Sequence, residues 1–216
     1  MTTTSSERRP RRDAVQNRAG ILAAATETIA GDPRASVDAI ARTAGLSRRA
    51  LYGHFADRDA LVRDLIAAGA QRFNAIAVRV QDSDARVALA RLAAQLWAEA
   101  AHVQVIAAIA LDDAHVQETA DALAPLRRAV IEVVRRGQDD GTLRTDVAAP
   151  TLARLVEEAA RTVIMRVDAS SPEAQSLAVR STLSIAGLSW RESVELLAAH
   201  PDLLAAPASA PTEDAD

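Results

Sequence analysis

Apolar residues recur along this chain at helical spacing, not strand spacing. Ile21, Leu22, Ala25 and Ile29 fall at i, i+1, i+4 and i+8, one buried stripe of a first helix. Asp13 with Gln16 behind it reads as a capping box that opens this helix. Gly31-Asp32-Pro33 ends it, because Pro cannot continue the hydrogen-bond ladder. Ser36 is a good N-cap for a short second helix that buries Val37, Ile40 and Ala41, and Gly45 supplies a left-handed C-cap. Ser47 caps a third helix. Leu46 and Leu51 flank that cap at N′ and N4, the spacing of a hydrophobic staple. Phe55 closes the third helix as an apolar anchor. Asp57 caps a fourth, which carries Leu61, Leu65 and Ile66 towards Val80.

Beyond Asp82-Ser83-Asp84 the helices lengthen. Val87 to His102 predicts one, with Val103 to Leu111 continuing or following it. Pro125 either starts the next helix or kinks it, and that helix ends at Gly137, before a turn at Asp139-Asp140-Gly141. Pro150 opens a helix reaching Val167. Ser171-Pro172-Glu173 opens a last helix that runs unbroken to His200-Pro201. Residues 1–12 read as a disordered basic arm and residues 201–216 as a disordered Ala, Pro and acid tail. The fold class is therefore all-α.

Composition sharpens this picture. Hydrophobic residues make up 49% of the chain but aromatics only 2%, so the core must be built from Ala, Val, Leu and Ile. The absence of Cys excludes disulfides and thiolate metal sites, which suits a reducing cytoplasm. The N-terminus has no apolar h-region, and the central apolar run Val105–Leu111 is too short for a bilayer. A cytoplasmic location without membrane association is expected. Residues 1–80 hold 13 Arg against 8 acids, whereas the remainder holds 12 against 21. That asymmetry within a net charge of −4 points to nucleic acid at the N-terminal end only. The four histidines, 54, 102, 115 and 200, have no metal-ligand spacing. No nucleophile elbow or phosphate loop is present, and Asp112-Asp113 before His115 reads as a solvated helix end. Neither enzyme activity, a metal nor a cofactor is expected.

The chemistry concentrates between Ile40 and Phe55. Two short helices joined by a tight turn containing Gly are the geometry of a helix-turn-helix, whose second helix enters the major groove of DNA. Here that helix opens Ser47-Arg48-Arg49. Two Arg at a helix N-terminus oppose the macrodipole, at about a few tenths of a kcal/mol each. A tolerated cost of this kind points to an external anion. Arg pairs bidentately with guanine, or with phosphate.

A specific run of residues strengthens this reading. It comprises Arg18, Ile21 to Ala25, Ser36-Val37 with Ile40-Ala41, Ala44-Gly45-Leu46-Ser47, Leu51-Tyr52-Gly53-His54-Phe55, and Arg58 with Leu61. Across residues 18–62 the chain resembles the DNA-binding domain of the tetracycline-repressor (TetR) family. The resemblance implies that Ser36 contacts phosphate and that Ser47, Arg48 and Arg49 face the bases. It places Tyr52, His54 and Arg58 on backbone phosphates, and buries Leu51 and Phe55. Packing for Tyr52 and a helix-end role for His54 are the alternatives. Three positions depart from the family pattern: Ile29-Ala30 where Phe is common, Gly53 inside a short helix, and Asp38 on a face that can meet DNA. That carboxylate would repel phosphate, so it either caps its helix or accepts from a cytosine amine.

The resemblance also implies a helix-turn-helix domain over 13–62 and a larger effector-binding and dimerisation domain over 63–200. The fourth helix links them and acts as the lever. The last two helices would pair with a second copy as a four-helix bundle. Two apolar stripes support that independently: Leu152, Leu155, Val156, Ala159 and Val163, then Leu183, Gly187, Trp190, Val194 and Leu197. Small residues at Ser181, Ser184 and Gly187 permit close helix approach. Phe73, Trp97, His102, Gln104, Arg161 and Met165 are candidate pocket residues, with core packing or exposure the alternative for each. The expected function is a homodimeric regulator, a repressor that binds a near-palindromic double-stranded operator and is released by a small-molecule effector. A helical enzyme or carrier with a structural N-terminal unit, or a regulator without ligand control, are the other readings.

Overall fold

The computed structural model describes residues 8–101, 104–110, 114–168 and 170–205, with backbone only for residues 8–17. The described residues contain eleven α-helices and no strand. These are α1 (Arg8–Gly31), α2 (Val37–Thr43), α3 (Arg48–His54), α4 (Arg58–Arg79), α5 (Ala85–Ala101), α6 (Gln104–Ala110), α7 (Val116–Ala122), α8 (Ala124–Asp139), α9 (Ala149–Arg166), α10 (Ala174–Ile185) and α11 (Trp190–Ala199). A short 3-10 turn, Pro201–Leu204, follows. No single helix among the described residues is long and apolar enough to cross a membrane. The basic arm read over residues 1–12 lies partly outside the described residues. From Arg8 on, its backbone belongs to α1, so Asp13 lies inside that helix and does not open it.

The helices gather into two compact units, residues 1–70 with 103–121, and residues 71–102 with 122–216. In the first unit, Ile21, Ala25 and Ile29 of α1 close on Ile40 and Ala41 of α2, Leu51 of α3, Phe55, and Leu61 and Leu65 of α4. Val105, Ile106 and Ile109 of α6 pack against the same cluster. Each fully buried Ile or Leu there contributes about 1.5–3 kcal/mol.

In the second unit, α5 is the hub. Six of its alanines, with Val87, Leu89, Leu92 and Trp97, are buried, as befits a helix largely surrounded by others. It packs against α8, α9 and α10. The start of α8 has no side-chain cap of its own, and Leu123 precedes it. Asn74 of α4 supplies the missing partner. It accepts from the Leu126 N–H at 3.0 Å and donates to the Ala122 carbonyl at 3.0 Å. Arg127 of α8 holds Glu157 of α9 through two hydrogen bonds, at 2.7 and 2.9 Å.

The unbroken last helix expected from Glu173 to His200 is corrected. The chain turns after Ile185, where Gly187 takes φ +113 and Leu188 N–H returns to the Leu183 carbonyl at 3.0 Å. A side chain at Gly187 would also press on Arg144, whose Cβ lies 2.9 Å from the position of a Cβ there. Ser189 then opens α11 with a capping box to Glu192. The expected stripe from Leu183 to Leu197 is therefore split between two helices. Leu183 is fully buried whereas Trp190 is 66% exposed. The row Ser181, Ser184, Gly187 likewise stops at the helix end.

Candidate nucleic-acid interface

The helix-turn-helix is built by local chemistry. Ser36 Oγ accepts from Ala39 N–H at 3.2 Å and Ser47 Oγ from Ala50 N–H at 3.2 Å, so both serines cap their helices. Gly45 at φ +66 lets the chain reverse between α2 and α3. Leu46 N–H then bonds the Ala41 carbonyl at 2.8 Å, and Leu46 packs against the cluster that holds Leu51. Leu51 and Phe55 are buried, so the opposite face of α3 points to solvent.

That outer face carries Arg48, Arg49 and Tyr52, all exposed. Arg48 is anchored. Its Nη1 donates to Asp38 Oδ2 at 3.2 Å, its Nε lies 3.2 Å from Oδ1, and its guanidinium stands 5.5 Å from the Tyr52 ring centroid. Tyr52 first and Asp38 second raise the Arg48 pKa above its ordinary value. Asp38 also offsets the unfavourable charge of Arg48 near the α3 N-terminus. Arg49 makes no ion pair among the described residues.

Two further residues fix the frame. Arg58 donates from Nη2 to the Pro33 carbonyl at 2.7 Å and from Nε to the Ala35 carbonyl at 3.2 Å, tying the start of α4 to the loop before α2. The resemblance assigns it to a phosphate; in this structure it bonds backbone carbonyls. Arg18 carries a role that the sequence did not reveal. It stacks on Phe55 at 4.5 Å, donates to the His54 carbonyl at 3.2 Å, and bonds Asp64 at 2.7 Å. It thus joins α1, the end of α3 and α4. The pair Arg18 and Asp64 is too distant in sequence for any local pattern to reveal. His54 ends α3 and is half-buried.

The pocket candidates disperse. Trp97 is buried against Val163, Ala174 and Ala178, a core cluster of the second unit. Arg161 lies 3.8 Å from Glu158, and Met165 is largely exposed. Phe73 is half-buried. Gln104 belongs to the first unit, unlike the other four. His102 lies outside the described residues. No group of three or more His, Cys, Asp or Glu able to hold a metal occurs among the described residues.

Residues 21–65, the span from α1 through the first turns of α4, match the profile of bacterial regulatory proteins, tetR family. Over that stretch the chain is similar to the N-terminal domain of tetR-family bacterial regulatory proteins. The fold extends this likeness beyond the matched stretch. It superimposes on the TetR-family regulator PfmR from Thermus thermophilus with TM-score 0.66 at 20% identity, covering 78% of this chain and 98% of that one. It superimposes on FadR from Bacillus subtilis, in complex with stearoyl-CoA, with TM-score 0.68 at 14% identity, covering 78% and 97%. For SmeT, the repressor of a Stenotrophomonas maltophilia multidrug efflux pump, the TM-score is 0.62 at 20% identity, covering 77% and 88%. These identities establish a shared all-α fold. No curated protein sequence matches the chain.

Proposed function

We propose that this chain is a TetR-family regulator that binds a near-palindromic operator as a homodimer, represses transcription there, and is released by a small molecule. The observation that carries the reading is the outer face of α3, where Arg48, Arg49 and Tyr52 are presented over a buried Leu51 and Phe55. Ser36, Ser47, His54 and Arg58 belong to the same unit, and the reading assigns them to backbone phosphates. Residues 13–62 would act on DNA and 63–200 on effector and partner copy. Dimerisation draws on Leu155 and Met165 of α9, Leu177 of α10, and Trp190 and Val194 of α11. All are large apolar side chains left exposed in the single chain, which a second copy would cover. Repression and release are argued by likeness. SmeT is a repressor, and FadR was captured with stearoyl-CoA.

One experiment reads assembly and release together. The full chain is sedimented with a labelled duplex from its own promoter, then with compounds that raise its melting temperature. Two chains per half-site pair, and loss of the duplex on adding a stabilising compound, are expected. One chain per duplex contradicts the dimer, and stabilisers that leave the complex intact contradict ligand release.

A further inference from the structure

We propose that Asp38 determines base specificity by holding Arg48 to base edges and away from phosphates, an inference that rests on α3 being the reading helix. The two arginines that open α3 are chemically alike but differently held. Arg49 makes no ion pair among the described residues. Arg48 is gripped on two sides, by the Asp38 carboxylate at 3.2 Å and by the Tyr52 ring at 5.5 Å.

Asp38 Oδ1 is shut off from solvent and accepts no hydrogen bond; its nearest cation is Arg48 Nε, at 3.2 Å. Withdrawing Arg48 would break this ion pair and return the carboxylate oxygen to water, so the pair biases Arg48 towards one position. Arg48 is thereby ordered before DNA arrives, so less conformational freedom is lost on binding.

The same carboxylate decides where the arginine can go. A phosphate approaching Arg48 meets Asp38 beside it, and the two negative groups repel. The acceptor edge of guanine, O6 and N7, is neutral and carries no such penalty. Contacts to phosphate carry no sequence information, whereas contacts to base edges do. Asp38 therefore turns Arg48 from a general anion binder into a reader of guanine, and leaves Arg49 to neutralise the backbone. The acidic residue that looked out of place on a DNA-facing helix becomes the source of discrimination.

The test uses the full-length chain and a library of randomised duplexes. The wild type should enrich one sequence family. A duplex from that family and its guanine-to-adenine counterpart are then titrated against wild type, Asp38→Asn and Asp38→Ala. Wild type should prefer guanine roughly tenfold at the contacted position, and the variants by only about two-fold. Binding to unrelated DNA should rise in both variants. The salt dependence should also steepen by about one phosphate contact per subunit as Arg48 swings to the backbone. Asp38→Asn keeps the size of the side chain on α2, so a folding defect is not built into the test. Unchanged guanine preference and salt slope in both variants would overturn the proposal while leaving α3 as the reading helix. A wild-type chain that enriches no sequence would overturn that reading and the proposal with it.

Discussion

Replacing Arg48 and Arg49 together with alanine removes sequence-selective binding to the protein's own promoter region at physiological salt. Each good bidentate contact to a base is worth about 1–3 kcal/mol of discrimination. The proposed homodimer would present each contact twice, so losing Arg48 alone would cost roughly 2–6 kcal/mol per complex. If Arg49 neutralises phosphate, as proposed above, its loss weakens all sequences alike. Alanine is a better helix former than arginine at this end of α3, so the double variant should remain folded. A gel-shift titration with promoter and unrelated duplexes checks this. Retained selective binding by the double variant would show that another surface reads the operator.

The second large effect is on stability and is confined to one unit. Phe55→Ala should destabilise the helix-turn-helix unit by about 3–5 kcal/mol, the usual cost of emptying an aromatic core site. Phe55 is 2% exposed, shares a cluster with Ile21, Ile40 and Leu51, and carries the Arg18 guanidinium on its ring. The two tryptophans separate the units experimentally, because Trp97 and Trp190 both belong to the second. Hydrogen exchange of α1, α2 and α3 should accelerate strongly in the variant while the tryptophan fluorescence transition in urea hardly moves. Unchanged exchange in those helices would mean that Phe55 does not anchor α3.

The parts of this molecule that are legible in its sequence are those made by neighbours in the chain. Ser36 and Ser47 cap helices, Gly45 adopts the left-handed turn, and Leu46 with Leu51 staples α3. Each is a contact within a few residues, and each leaves a residue-type signature. Asp57 opening α4, with its Oδ1 accepting from Ala60 N–H at 2.6 Å, belongs to the same class. Contacts between distant helices leave no such signature. Arg18 meets Phe55 and Asp64, and Asn74 caps a helix from across the fold; only the folded chain puts them together. Asp38 lies between these cases. Its charge marks it as anomalous in the sequence, but its partner Arg48 emerges only once α2 and α3 are set against each other.

The broken last helix is a conflict between two signals. Gly187 followed by Ser189 and Glu192 spells a helix stop and a capping box. An apolar stripe at helical spacing, running from Leu183 to Leu197, masks that local signal. The turn at Gly187 instead sets Leu183 inside the core and leaves Trp190 outside it. Pocket residues are harder still. Trp97 packs against Val163 and Arg161 lies near Glu158, contacts between residues that no local sequence pattern distinguishes from a ligand site.

If the outer face of α3 engages DNA through charge and base contacts, binding must respond to salt and to sequence together. The most direct test is the affinity of the wild-type chain for its promoter duplex, measured as salt is raised from roughly 50 to 200 mM. The two helix-turn-helix units of the proposed homodimer, making about 6–10 phosphate contacts, should lose on the order of 10³–10⁵ in affinity across that range. The promoter duplex should stay preferred over unrelated DNA throughout. Affinity that is flat with salt, or equal for promoter and unrelated DNA at every salt concentration, would contradict DNA reading by α3.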